Sequence, residues 1–140
     1  MNKSTTFILL ICVLALAALA VIIFALFHEG ETDMTYGNNV HRHITPSQAR
    51  AKMQAHPEAI ILDVRTQQEY AAGRIPGAIL LPDFDVEAQA PYVLPDKDAI
   101  ILVYCRSGRR SENAARLLAS MGYTNVYDFG GIEFWPYERE

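Results

Sequence analysis

Cysteine is scarce in this 140-residue chain, which contains only Cys12 and Cys105. Two cysteines exclude a small fold framed by several disulfides, and they exclude a zinc site built from four cysteines. Basic residues are also few, because 12 lysines and arginines are outnumbered by 16 aspartates and glutamates. The formal net charge of −4 excludes a strongly basic nucleic-acid binder, so no nucleic-acid partner is expected. The hydrophobic content of 51 % excludes a disordered chain.

Charged residues, Asn, Gln, Ser, Thr, Gly and Pro are all missing from residues 7–27. A helix of this length measures about 31 Å and matches the hydrocarbon core of a bilayer, which is roughly 30 Å thick. The apolar run continues well past Ala18-Leu19-Ala20, a possible site of signal-peptide cleavage. We therefore predict an uncleaved, single-pass transmembrane helix over residues 7–27, with a cleaved signal peptide as the alternative.

The flanking charges predict the orientation of this helix. Lys3 and the amino terminus precede it, whereas Glu29 and Glu31 follow it and the first downstream base is Arg42. Because cytoplasmic flanks carry the excess of lysine and arginine, residues 1–6 are expected to form a cytoplasmic tip. The rest of the chain is then expected on the outer side of the membrane, which is the periplasm if the source is bacterial.

Residues 28–42 are polar and contain glycine and asparagine, which is typical of a linker. His41 and His43 stand at its end, but no cysteine or acidic residue with metal-ligand spacing accompanies them. We predict a pair of surface histidines there, and we expect neither a metal nor a cofactor. Residues 43–140 are predicted to form one domain.

Short apolar runs alternate with helical segments along this domain. Thr45 with Gln48, and Thr66 with Glu69, have the spacing of a capping box at the start of a helix. Apolar runs that indicate buried strands stand at residues 59–64, 78–81, 99–104 and 126–128. The alternation predicts an α/β fold, in which helices flank both faces of a mostly parallel central sheet. The segment 84–95 contains two prolines, and no long helix is expected there.

Cys105 comes directly after the strongest of these strands and just before a predicted helix. An open α/β sheet binds ligands at the carboxyl ends of its strands, and a loop leading into a helix points backbone N–H groups at an anion. The three arginines of this loop and the helix dipole favour the thiolate of Cys105, so we predict a sulfur nucleophile. The loop consists of Arg106, Ser107, Gly108, Arg109, Arg110 and Ser111. A buried structural cysteine beside a solvated basic turn is the alternative.

Four motifs, in this order, resemble those of the single-domain rhodanese family. They are Leu62-Asp63-Val64-Arg65 with Glu69-Tyr70, Gly73-Arg74-Ile75-Pro76-Gly77-Ala78, Tyr104-Cys105-Arg106-Ser107-Gly108-Arg109-Arg110-Ser111, and Gly130-Gly131-Ile132 with Trp135. The resemblance covers residues 43–135 and implies a rhodanese-like fold. The Cys-x4-Arg spacing is shorter than the Cys-x5-Arg of the related dual-specificity phosphatases. This difference implies a pocket sized for sulfane sulfur rather than for phosphate or arsenate.

The resemblance also implies a sulfurtransferase cycle without a cofactor. Cys105 would attack the outer sulfur of thiosulfate or a similar small donor and hold it as a persulfide within the loop 106–111. A thiol or cyanide would then accept this sulfur. Asp63, Arg65 and Glu69 would form a buried polar network that braces the sheet. A non-enzymatic rhodanese-like module, which binds partners or senses sulfur species, is the alternative function.

Overall fold

The computed structural model describes residues 32–36 and 39–140. These residues contain six strands: β1 (Thr32–Tyr36), β2 (Asn39–His43), β3 (Ile60–Asp63), β4 (Ile79–Leu80), β5 (Ile100–Cys105) and β6 (Asn125–Gly131). They also contain four α-helices: α1 (Pro46–Ala55), α2 (Gln67–Ala71), α3 (Val86–Val93) and α4 (Arg109–Ser120). Two short 3₁₀ helices span Asp83–Asp85 and Ile132–Phe134.

The strands form one sheet in the order β1-β2-β6-β5-β3-β4. β1 runs antiparallel to β2, and every other neighbouring pair is parallel. Parallel neighbours need a crossover connection, and helices supply it here. The mostly parallel α/β sheet predicted from the sequence is confirmed. The edge strand β4 has only two residues, and Pro82 follows soon after it.

Both faces of the sheet are covered by helices, as the central strand β5 illustrates. Its residues Ile101, Val103 and Cys105 belong to the core that α3 and α4 share with the sheet. Its residues Leu102 and Tyr104 belong to a second core on the opposite face, which includes residues of α1 and α2. A parallel strand in the middle of a sheet is buried on both sides, which explains the continuous apolar sequence of β5. Cys105 therefore ends the strand on the α4 face.

Both predicted capping boxes are present. The backbone N–H of Gln48 donates to Oγ1 of Thr45 at 3.2 Å, and Oε1 of Gln48 accepts from the backbone N–H of Thr45 at 2.8 Å. Thr66 and Glu69 make the same reciprocal pair, at 3.2 and 2.9 Å. These bonds satisfy backbone donors that a helix start leaves unpaired. The second box also fixes Glu69 in the first turn of α2.

Residues 28–42, predicted as a linker, contain β1 and nearly all of β2. β2 pairs with β6 through His41, Arg42 and His43, so the sheet begins before the predicted domain start at residue 43. Without β2, this edge of β6 would leave backbone N–H and C=O groups unpaired. Ladder hydrogen bonds use the backbone alone. A polar segment can therefore complete a sheet although its sequence shows no strand pattern.

The segment 84–95, where no long helix was expected, contains the eight-residue helix α3. Pro91 lies inside this helix and removes one backbone hydrogen bond. Val86, Ala90 and Leu94 recur at helical spacing, and all three are fully buried in the core shared with α4. Burial of this stripe offsets the bond that Pro91 cannot make.

The predicted cytoplasmic tip, residues 1–6, and the predicted transmembrane helix, residues 7–27, lie outside the described residues. Cys12 lies there as well. Within the described part of the chain, no helix is both long and apolar enough to cross a bilayer.

Candidate active site

Cys105 lies at the carboxyl end of β5, and its side chain is 1 % exposed. It is the free cysteine of the described residues. A register irregularity between Val103 and Cys105 interrupts the β5–β6 ladder at this point. The backbone N–H of Gly108 donates to Sγ of Cys105 at 3.1 Å. The loop therefore bends back over the sulfur and presents a main-chain donor to it.

Two glycines allow this bend. Gly108 has a φ of +109°, a backbone conformation that residues with a side chain rarely adopt. Gly131 has an ordinary φ of −104°, but a Cβ atom there would overlap the carbonyl oxygen of Arg106 and lie 2.6 Å from Cα of Ser107. The loop is thus packed directly on the backbone at the end of β6. Sequence reasoning placed Gly131 in a motif but did not reveal this contact.

Ser111 joins the loop to β6 from the other side. Its hydroxyl is buried and contacts the carbonyl oxygens of Gly108 and Gly130 at 2.9 and 3.2 Å. Ser111 was predicted among the residues that bind substrate. Its hydroxyl is engaged with the main chain, so it holds the first turn of α4 in place.

The three loop arginines differ in whether a carboxylate neutralises their charge. Arg110 makes two hydrogen bonds to the carboxylate of Glu69, at 2.8 and 2.7 Å. Arg106 donates to Oε1 of Glu133 at 2.8 Å. Arg109 is exposed and has no hydrogen-bonding or ion-pair partner among the described residues. One of the three predicted charges is therefore unpaired.

The pair of Arg110 and Glu69 shifts the titration of both groups. The hydrogen bonds from Arg110 lower the pKa of Glu69 from 4.5 to about 2. The same hydrogen bonds raise the pKa of Arg110 above its usual value. Both side chains are about one-quarter exposed, so the pair stands at the rim of the loop rather than in the core.

A separate polar network surrounds Asp63, which is paired with Tyr104 on the face of the sheet opposite Cys105. Nη2 of Arg65 and the hydroxyl of Tyr104 both donate to Oδ2 of Asp63, each at 2.6 Å. The Tyr104 oxygen also accepts from the backbone N–H of Ile75 at 3.2 Å. Burial, followed by the hydrogen bond to Asp63, raises the pKa of Tyr104. Asp63 and Arg65 thus meet as the resemblance implied, whereas Glu69 lies apart from them.

Tyr104 and Glu133 make polar contacts that sequence reasoning missed, with Asp63 and with Arg106 respectively. Tyr104 had one signal, since it is the sole residue with a hydroxyl in the otherwise apolar run of β5. Such a group is seldom buried without a partner. Glu133 had no signal, because nothing in its local sequence shows that it meets Arg106.

The histidines at the end of β2 differ from the predicted surface pair. His41 is 1 % exposed, and neither of its ring nitrogens has a hydrogen-bond partner. His43 is about half exposed, and its Nδ1 lies 3.0 Å from Oδ2 of Asp128. β2 is paired with β6 opposite the buried Val126, which places His41 beneath α4. Across the described residues, no group of three or more histidine, cysteine or acidic side chains is placed to hold a metal.

A cavity of about 500 Å³ adjoins the loop at Arg106. Its charged lining residues are Arg65, Glu69, Arg106, Glu133, Arg139 and Glu140. Positive and negative side chains are equally numerous in this lining. The cavity therefore offers an anionic sulfur donor no excess of positive charge. The observed hydrogen-bond donor to Cys105 is the backbone N–H of Gly108 in the loop itself.

Several known proteins are similar to this chain. The chain is 38 % identical over 72 residues to the thiosulfate sulfurtransferase PspE of Escherichia coli K12, which covers 51 % of this chain and 69 % of that protein. It is 41 % identical over 96 residues to the thiosulfate sulfurtransferase GlpE of Pseudomonas entomophila, which covers 67 % of this chain and 84 % of that protein. The solved structure of the human single-domain sulfurtransferase TSTD1 matches with a TM-score of 0.59 at 28 % identity, over 66 % of this chain and 93 % of that one.

The family assignment rests on more than these pairwise matches. Residues 45–136, well over half of the chain, match the family model for the rhodanese-like domain. This range includes β3 to β6, the loop after Cys105 and the glycines on which that loop packs. The chain belongs to the rhodanese-like domain family and is a transferase of the rhodanese type.

Proposed function

We propose that the chain transfers sulfane sulfur, carried as a persulfide on Cys105, from a small donor such as thiosulfate to cyanide or a thiol. The observation that carries this proposal is the distance of 3.1 Å between the backbone nitrogen of Gly108 and Sγ of Cys105. A main-chain donor at this distance stabilises negative charge on sulfur. Two relatives are named thiosulfate sulfurtransferases, which supports thiosulfate as the donor.

The proposed cycle balances without an oxidant or a reductant. The Cys105 thiolate attacks the outer sulfur of thiosulfate, the S–S bond of thiosulfate breaks, and its electron pair leaves with sulfite. Cyanide or a thiolate then attacks the outer sulfur of the persulfide. The S–S bond to Cys105 breaks, and its electron pair returns to Sγ as the thiolate. The product is thiocyanate or the persulfide of the acceptor.

The loop residues have different roles in this cycle. The N–H of Gly108 and the amino-terminal end of α4 supply donors and dipole for the charged sulfur. Arg109 supplies the unpaired positive charge. Arg110 holds the loop against α2 through Glu69, so we assign it to the geometry of the loop.

Intact mass spectrometry of the 140-residue chain tests the proposal. After treatment with thiosulfate, the chain should gain the mass of one sulfur, and Cys105→Ser should abolish this gain. Cyanide should then remove the sulfur and release thiocyanate. A gain of sulfur that survives Cys105→Ser contradicts the assignment. A chain that binds sulfur species without passing them to cyanide or thiols would be a sensing or binding module.

We propose in addition that residues 7–27 anchor the domain in a membrane, with residues 1–6 in the cytoplasm. The support is the uninterrupted apolar sequence of residues 7–27 and the position of Lys3 before it. The domain, residues 43–140 with the strands that precede it, would then act on the outer side of that membrane. Sulfur donor and acceptor would be small molecules of that compartment.

A further inference from the structure

The chain enters the sheet much closer to its apolar segment than the sequence indicates. The sequence predicts a linker over residues 28–42, but β1 begins at Thr32 and β2 takes up most of the remainder. Only residues 28–31 are left between the apolar run, which ends at residue 27, and the first strand. The position of Thr32 in the sheet therefore limits which side of the domain can face a membrane that residues 7–27 enter.

Thr32 lies at the carboxyl edge of the sheet, which is the edge where the parallel strands end. Because β1 runs antiparallel to β2, its first residue, Thr32, is paired with His43, the last residue of β2. His43 is paired in turn with Asp128 of β6, whose other neighbour is Val103, near the end of β5. The chain thus enters the sheet at the same edge from which the loop after Cys105 projects.

This short connection cannot reach a membrane from the opposite edge. The chain from residue 27 to Thr32 spans at most about 18 Å, and a headgroup layer takes up roughly 6 Å of this reach. About 12 Å then remains between the headgroups and Thr32. The six residues of β5 alone separate the two edges of the sheet by about 17 Å. A domain that rested on its amino edge would hold Thr32 beyond this reach, whereas the carboxyl edge lies within it.

Exposed apolar side chains favour the carboxyl edge over the β1 side of the domain, which the connection also permits. Phe134 is 70 % exposed in the 3₁₀ helix that follows β6. It lines a cleft together with His43, the residue that is paired with Thr32. Phe84 is 73 % exposed in the 3₁₀ helix that follows β4, at the same edge. Phenylalanine rings this exposed suit the boundary between lipid headgroups and acyl chains.

The charges around Phe134 suit the phosphate of a lipid. Arg109 lines the same cleft, is exposed, and has no hydrogen-bonding or ion-pair partner among the described residues. The acidic residues that stand near these two in the sequence, Glu112 and Glu133, each already accept from an arginine, at 2.7 and 2.8 Å. An arginine beside an exposed ring can pair with a lipid phosphate while the ring enters the layer beneath it.

We propose that the carboxyl edge of the sheet rests on the surface of the bilayer that residues 7–27 enter, with Phe134 and Arg109 in contact with lipid. The inference rests on the proposed membrane anchor and does not depend on sulfur transfer. The ring of Phe134 enters the headgroup region, and Arg109 pairs with a lipid phosphate. The loop after Cys105 then faces the lipid interface.

Photochemical crosslinking from two exposed aromatic positions tests this contact. The 140-residue chain is reconstituted in phosphatidylcholine vesicles with benzoylphenylalanine in place of Phe134 or, as the matched control, in place of Tyr92. Tyr92 is 81 % exposed near the end of α3, which leads back to the start of β5 at the amino edge. After irradiation, position 134 should form at least about fivefold more lipid adduct than position 92, as measured by intact mass spectrometry.

The fluorescence of Trp135 gives a second measurement on the unsubstituted chain, which contains one tryptophan. A nitroxide on the phosphatidylcholine headgroup quenches an indole only at short range, so Trp135, which follows Phe134, should be quenched. Phe134→Glu should reduce this quenching by about half or more, because it places a charge where the ring met the lipid. Tyr92→Glu makes the same kind of change at the amino edge and should leave the quenching unaltered. Equal quenching in both variants would overturn the proposal.

The outcomes separate this inference from the proposals on which the article's function rests. Release of the whole chain from the vesicles by carbonate would refute the anchor, and the docked edge with it. A chain that stays in the vesicles but forms equal amounts of lipid adduct at positions 134 and 92 would refute the docked edge alone. Failure of Cys105 to take up sulfur would refute sulfur transfer alone.

Discussion

Arg110 reaches from the first turn of α4 to Glu69 in the first turn of α2, and two of its nitrogens are engaged there. Arg110→Ala leaves the Glu69 carboxylate unpaired beside a loop that must receive a dianionic donor. We expect the rate of sulfur uptake from thiosulfate to fall about tenfold, which corresponds to about 1.4 kcal/mol. Arg110→Lys keeps the charge but loses the planar fork, so it should recover part of the rate. Timed mass spectrometry of the persulfide measures both.

A double variant separates two effects of Arg110→Ala, which are the loss of the hydrogen bonds between α4 and α2 and the unpaired charge left on Glu69. Glu69→Gln combined with Arg110→Ala removes the unpaired negative charge and should recover part of the lost rate. Arg116→Ala serves as the control, because Arg116 lies further along α4 and pairs with Glu112. If Arg116→Ala slows sulfur uptake as much as Arg110→Ala does, the pairing of Arg110 with Glu69 does not explain the loss of rate.

Gly131 is the second residue whose role a substitution can isolate. Its φ is ordinary, so Gly131→Ala introduces no backbone strain and only places a Cβ atom against Arg106 and Ser107. We expect the loop to be displaced from Cys105 and sulfur uptake to fall at least about tenfold, while the fold persists. Sulfur uptake and thermal unfolding of the same sample check this.

Gly130→Ala is the converse variant. Gly130 has a φ of +85°, but nothing lies within 4 Å of the position of its Cβ. The substitution should lower the free energy of unfolding by about 1 kcal/mol through backbone strain. Its uptake of sulfur should stay closer to that of the unmodified chain than uptake by Gly131→Ala. The reverse order would show that the close approach at Gly131 is unimportant.

At the scale of elements, β2 places His41 beneath α4, where neither of its ring nitrogens has a hydrogen-bond partner. Burial, and then the charge of Arg116, lower the pKa of His41 below 6.5. The unfolded chain therefore binds more protons than the folded chain just below pH 6.5, and stability is lost as the pH falls. His41→Leu removes a buried polar group that has no hydrogen-bond partners, and it also removes the group whose protonation favours the unfolded chain. The substitution should therefore raise the free energy of unfolding by about 1–3 kcal/mol. Urea unfolding at several pH values measures the gain, which should grow below pH 6.5.

His56→Leu is the control for that measurement. His56 is 44 % exposed and its ring is not a buried group without partners, because it contacts the exposed Glu58, so the same chemical change there should not raise the free energy of unfolding. A gain for His41→Leu that is constant from pH 8 to pH 5 would contradict the titration of His41.

The elements that the sequence predicted are those governed by local rules. The capping boxes at Thr45 and Thr66 need only residues three positions apart, and β5 needs only its own apolar run. The loop after Cys105 was also predictable, because a strand, a cysteine, a basic turn and a helix follow one another directly. The pairing of Arg110 with Glu69 was not, since the two residues are 41 positions apart and many carboxylates compete. β2 was missed because backbone pairing leaves no apolar pattern.

At the scale of the whole molecule, the proposed anchor makes a prediction about fractionation. If residues 7–27 span a bilayer, the chain should stay with the membrane pellet after washing with carbonate or high salt. A variant that begins at residue 28 should be released by the same washes. A mature amino terminus near Val21 would show instead that this segment is a cleaved signal peptide.

The two-residue strand β4 has a consequence for many copies held side by side on a surface. An open sheet edge can recruit the edge of a neighbouring molecule through its free backbone groups. β4 exposes the shortest possible ladder, and Pro82 soon after it has no N–H to donate. Copies of this domain at high surface density therefore have few free backbone groups on that side through which to join their sheets. Repulsion between their net negative charges should then determine how closely the copies approach one another.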